Sequence, residues 1–171
     1  SLIREPQIKH VSQLIGEHTR IFLYGFGSSG LAAQEFQLRL LRLGMDAEAI
    51  TELHQMVLNE ARITNACLVI GISLSGATRE LIDALDRAKA RGAAVIYLTS
   101  SNAEREKRTY EEIVLAPVKK NLEYGNVISP QFPILLILDL IYAQLLKEDR
   151  RSTEAQYDTH IWERIKDYHV G

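Results

Sequence analysis

The run Cys67-Leu68-Val69-Ile70-Gly71-Ile72 leads straight into Ser73-Leu74-Ser75-Gly76-Ala77-Thr78. Six residues are too few for an independent helix, and no polar residue alternates with the apolar ones to give a wet face. Such a segment reads as a strand covered on both sides, which happens in parallel sheets flanked by helices. The chain around it supports that reading. Residues 21–24 form a second apolar strand ending at Gly25. Residues 45–50 form a weaker one interrupted by Asp46 and Glu48, and 94–98 and 112–115 supply two more. Between them run helical stripes. Ala33, Phe36, Leu40 and Leu43 lead to Gly44 as C-cap, residues 52–60 follow Thr51 as cap, and Leu81, Ile82, Leu85 and Ala88 close at Gly92. A short charged helix capped by Asn102 follows the fourth strand. The helix after the fifth is delayed by a loop and spans residues 131–146. This alternation predicts an α/β three-layer sandwich: five parallel strands in the order 2-1-3-4-5, flavodoxin-like and doubly wound, with right-handed crossovers.

The flanks predict two more helices, one at residues 5–18 with Ile8, Val11, Leu14 and Ile15 inward, and one at 152–169 around Ile161, Trp162, Ile165 and Tyr168. Residues 1–171 are read as a single domain, since 171 residues suffice for one substantial core. The helix at 131–146 is apolar nearly all round and needs cover on more than one side. A homodimer partner is the first candidate for that cover and the terminal helices are the alternative. Asp139 is expected to pair there with a buried donor.

Composition removes several classes. With 46% apolar and 25% charged residues the chain is not disordered. A net charge of -2 and a pI near 6.2 offer no bulk attraction to nucleic acid. The basic stretches Arg105-Glu106-Lys107-Arg108 and Lys119-Lys120 read as solvated faces. The single cysteine, Cys67, cannot form an internal disulfide and fits a reducing, cytoplasmic setting as a small core residue. The longest apolar stretch is broken by Asp139 and is too short for a bilayer, no signal-peptide pattern opens the chain, and no membrane association is expected. Beginning at Ser1 rather than Met, the sequence reads as a fragment of something longer.

Chemistry concentrates in two loops. Gly25-Phe26-Gly27-Ser28-Ser29-Gly30 joins the first strand to a helix, where glycines let backbone approach a ligand and free helix N–H groups attract anions, phosphate above all. Taken alone, its G-x-G-x-x-G spacing also suits a dinucleotide, with Asp46 and Glu48 about twenty residues on. The second loop, Ser73 to Thr78, tips the balance. It sets the hydroxyls of Ser73, Ser75 and Thr78 beside another helix start. In the order 2-1-3-4-5 both loops rim one crevice where the winding reverses. Two such loops make a socket for one phosphate held by neutral donors, and neither carries a Walker lysine. The dinucleotide reading stays open through Thr51-Glu52 as a ribose ligand. A plain capping role for Ser29 or Ser75 also stays open.

The pair of loops closely resembles the sugar isomerase (SIS) domain family. Gly25, Gly27 and Ser29 match its G-x-G-x-S loop, and Ser73, Ser75, Gly76 and Thr78 match its S-x-S-G-x-T loop. The resemblance covers roughly residues 8–146. It implies a five-stranded sandwich, dimerisation, and phosphate contacts from Gly27, Ser28, Ser29, Ser73, Ser75 and Thr78, with no cofactor or metal. Within the family the chain is most similar to the C-terminal domain of RpiR-type transcriptional regulators. The resemblance rests on Ser129-Pro130-Gln131-Phe132 leading into Leu138-Asp139-Leu140-Ile141-Tyr142, on the fragment-like start and on the charged C-terminal extension. Pro130 and Gln131 stand where those regulators commonly carry a polar or basic pair, so sugar-ring contacts are not carried over from this segment.

An aldose–ketose isomerase needs a base. Related phosphosugar isomerases have a glutamate where this chain, aligned on Asp139, has Gln131, and residues 127–138 contain no carboxylate. Glu123 and His54 are the remaining candidates if the chain is an isomerase. The favoured expectation is a sensor: a sugar phosphate biases a homodimer, and the bias reaches DNA through a domain outside this chain.

Overall fold

The structure is a computed structural model that describes residues 4–74, 79–100, 107–116 and 131–149. Its elements are α1 (Glu5–Glu17), β1 (Arg20–Gly25), α2 (Gly27–Arg42), β2 (Ala47–Ile50), α3 (Leu53–Asn59), β3 (Cys67–Ser73), α4 (Arg79–Ala90), β4 (Ala94–Thr99), β5 (Glu112–Leu115) and α5 (Phe132–Asp149). All strand pairs are parallel and the order is β2-β1-β3-β4-β5, as expected.

Alternation along the strands divides the interior into two cores. Ile21 and Leu23 of β1, with Leu68, Ile70 and Ile72 of β3, face the layer of α1, α2 and α5. Phe22 and Tyr24, with Val69 of β3 and Val95 and Tyr97 of β4, face α3 and α4. Every residue of β3 is buried, as befits the middle strand of a sheet with helices on both sides. At Gly71 a Cβ would lie 2.6 Å from Leu85 Cδ1, so the glycine lets α4 close down on the sheet. Tyr110, buried just before β5, donates to Asp86 at 2.6 Å. Burial first, and the accepting carboxylate second, hold its phenol well above the ordinary range.

Several expectations need correction. Thr51 does not cap α3. The N-cap is Glu52, without a side-chain cap bond, and the helix ends at Asn59 with a 3₁₀ turn at Glu60–Arg62. Within the chain, the donor that Asp139 pairs with is only partly buried. Asp139 is itself more than half exposed and accepts from Arg39 Nη1 of α2 at 2.6 Å. Cover for one side of α5 comes from α1, which lies against it and whose Ser12 donates to Glu148 at 2.7 Å. Gly44 and Gly92 take the left-handed conformation expected of chain reversal after a helix, with φ of 76° and 98°. The helix expected from Asn102, the Lys119-Lys120 pair and the helix at 152–169 lie outside the described residues. No described helix is long and apolar enough to cross a membrane.

Candidate functional site

The strand register sets the site. Gly25 of β1 aligns with Ile72 of β3, and Ser73 aligns with Thr99 of β4, so β1 and β3 end at the same edge. The turn after β1 is unusually tight. Gly27 has φ +54°, a conformation that costs most L side chains energy. A Cβ on Gly25 would meet Ser29 O at 2.8 Å, and one on Gly30 would meet Gly25 O at 2.9 Å and Thr51 Cγ2 at 3.0 Å. Gly25 and Gly30 therefore let the chain fold onto itself. They were expected to let the backbone approach a ligand, and the close contacts found at them are with the protein's own chain.

The turn leads into α2 at the edge where β1 and β3 end. Its N-cap is Phe26, extended at φ -108° and ψ 151°, with no side-chain cap bond. Neither Ser28 nor Ser29 is spent on capping, which removes the capping alternative for Ser29. Both lie in the first turn, Ser29 buried and Ser28 exposed. The amides of residues 27–29 lie ahead of the bond from Gly30 N to Phe26 O, where a helix dipole favours negative charge. Ser73, the last residue of β3, is also buried. Ser100 donates to the carbonyl of Leu74, tying the turn after β4 to the turn after β3. Ser75 and Thr78 fall outside the described residues, as does Glu123.

A contact that sequence reasoning missed joins this edge to the far end of the chain. Gln131, only 8% exposed, donates from Nε2 to Ser28 Oγ at 2.7 Å across 103 positions. Its carbonyl accepts from Leu135 N at 2.9 Å, the first backbone bond of α5. The signal available in the sequence was a polar residue heading an apolar helix on the same sheet face as α2. His54 lies in the first turn of α3, exposed, on the opposite layer. Asp46 precedes β2 rather than lying within it and pairs with Arg20 at 3.0 Å, and Glu48 pairs with Arg62 at 2.8 Å. Asp46 and Glu48, which fit the dinucleotide spacing, thus sit in exposed ion pairs, and Glu52, left open with Thr51 as a ribose ligand, is exposed at the N-cap of α3. Among the described residues no group of three or more His, Cys, Asp or Glu is placed to hold a metal.

The family model for the SIS domain matches residues 13–134, which spans both loops and all five strands. The chain belongs to the SIS domain family. Among curated relatives of this SIS domain is an uncharacterised HTH-type transcriptional regulator of Haemophilus influenzae, 31% identical over 147 residues, with 86% of this chain and 51% of the relative covered. One from Clostridium perfringens is 32% identical over 137 residues, covering 79% and 48%. The SIS domain thus spans about half the length of these relatives. Among solved structures, the sugar isomerase domain of an RpiR transcription factor from Sphaerobacter thermophilus superposes with a TM-score of 0.77 at 21% identity, covering 96% of this chain and 87% of that one. The Vibrio vulnificus NanR protein complexed with ManNAc-6P gives 0.79 at 22%, covering 96% and 61%. Enzymes share the fold too: phosphoheptose isomerase from Neisseria gonorrhoeae gives 0.69 at 18%, covering 84% and 87%.

Proposed function

We propose that this SIS domain is the phosphosugar-sensing effector domain of a bacterial transcriptional regulator whose DNA-binding part lies outside the sequence. The phosphate would sit at the shared edge of β1 and β3, held by Gly27, Ser28, Ser29, Ser73, Ser75 and Thr78 and by the first N–H groups of α2. The observation that carries the reading is the neutral amide of Gln131 against Ser28. At the head of α5, where a base would serve an isomerase, the chain presents a group that holds a hydrogen bond but cannot take a proton. Relatives that are named transcriptional regulators, and that extend well beyond the segment matched, support a sensor over an enzyme.

Sensing requires two arrangements that bind the ligand unequally. The proposed arrangements are those of a homodimer. Phe132, Leu136 and Leu140, spaced four residues apart along α5, are all exposed apolar side chains suited to such a contact. A coupling of about 1–3 kcal/mol is typical of such devices.

Thermal unfolding with a panel of hexose, pentose and amino-sugar phosphates, N-acetylmannosamine 6-phosphate included, tests the reading. At one hundred times the dissociation constant a true ligand adds about 2.7 kcal/mol. Ser75→Asp, which sets a carboxylate against the phosphate, is expected to leave the fold intact and remove the response. Indifference to every phosphosugar counts against the reading. Aldose–ketose conversion of the best binder, lost on changing Glu123 or His54, would establish the isomerase instead.

A further inference from the structure

Gln131 does more at this edge than decline to be a base. We infer that it sets the direction of the Ser28 hydroxyl, and so strengthens the hold of the site on a phosphate group; this rests on the proposed function above. A serine hydroxyl has one proton to give and two lone pairs to receive with. The amide N–H of Gln131 enters one lone pair at 2.7 Å. Ser28 therefore acts as acceptor toward α5 and turns its proton toward the crevice, where a phosphate dianion has only acceptors to offer. A carboxylate at 131 would reverse this, drawing the Ser28 proton to itself and placing a negative charge beside the bound anion.

The surroundings keep the arrangement in place. Gln131 is buried, so its amide is held rather than free to rotate into solvent, and its backbone begins α5. Ser28 lies in the first turn of α2 but is not its N-cap, a place taken by Phe26. Gln131 is thus a positioning residue: it acts on the phosphate through Ser28, and its share in affinity should vanish when Ser28 is gone.

Calorimetric titration with the strongest binder of the sugar-phosphate panel decides this, using wild type, Gln131→Met, Gln131→Glu, Ser28→Ala and Ser28→Ala/Gln131→Met. Hydrogen bonds to charged groups lead us to expect Ser28→Ala to weaken binding roughly tenfold. Gln131→Met should weaken it by about threefold to tenfold, and Gln131→Glu by more than Ser28→Ala does. The double variant should match Ser28→Ala within about twofold, because the second change removes nothing further. A purely structural role would instead multiply the two losses, and that result, or wild-type affinity in Gln131→Glu, overturns the inference while the phosphosugar reading stands. If wild type binds no member of the panel, the phosphosugar reading falls and the inference falls with it. Should Gln131→Met not fold, Gln131→Glu against Ser28→Ala settles the matter, since the carboxylate keeps the size and polarity of the amide.

Discussion

Two glycines show how differently the same residue can serve. A Cβ on Gly25 would press on the Ser29 carbonyl at 2.8 Å, a backbone atom with no side-chain freedom to yield. Gly25→Ala is expected to cost about 1–3 kcal/mol in chemical denaturation and to abolish the ligand response, because the first turn of α2 must shift. Gly16, inside α1, has nothing within 4 Å of the same added atom. Gly16→Ala should stabilise by about 0.5–1 kcal/mol through helix propensity alone. Equal effects at the two positions would mean that the turn is not as tight as described. At this scale the sequence was only partly legible. The G-x-G-x-x-G spacing marked the turn, yet spacing does not say whether a glycine admits a ligand or its own chain. Thr51 was read as a cap because threonine often caps, but its methyl instead lies beside Gly30.

At the scale of elements, α5 carries its weight through its buried side. Ile137 is fully buried in the core shared with α1 and α2, whereas the Arg39–Asp139 ion pair lies at the surface with both side chains in contact with water. Ile137→Ala should therefore cost about 2–5 kcal/mol and Asp139→Asn less than about 1 kcal/mol in the same denaturation assay. A larger loss for Asp139→Asn would restore the buried pairing that its place in an apolar helix suggested. The elements themselves were readable because each strand is a short apolar run and each helix carries a stripe of period 3.6. β5 begins and ends at the residues expected, and β3 gains only Ser73. What an element's sequence does not contain is the identity of its neighbours. Asp139 was read as pairing with a buried donor because Arg39, a hundred positions earlier, was not visible as its partner.

For the whole molecule, topology turns two separate motifs into one candidate site. The order β2-β1-β3-β4-β5 makes β1 and β3 neighbours, and their register ends both at one edge. That order was legible from the alternation of strands and helices. The Gln131–Ser28 bond was not, since it depends on where α5 begins relative to α2 after the chain has closed. The proposed function requires that edge to hold a phosphate with neutral donors and to couple its presence to α5. Backbone amide NMR during titration with the strongest phosphosugar of the panel tests this most directly. The amides of residues 27–30 and 73–78 should move first and furthest, together with the side-chain amide of Gln131. Shifts confined to the α3–α4 side, around Leu53, Val57 and Arg87, with residues 27–30 unmoved, would contradict it.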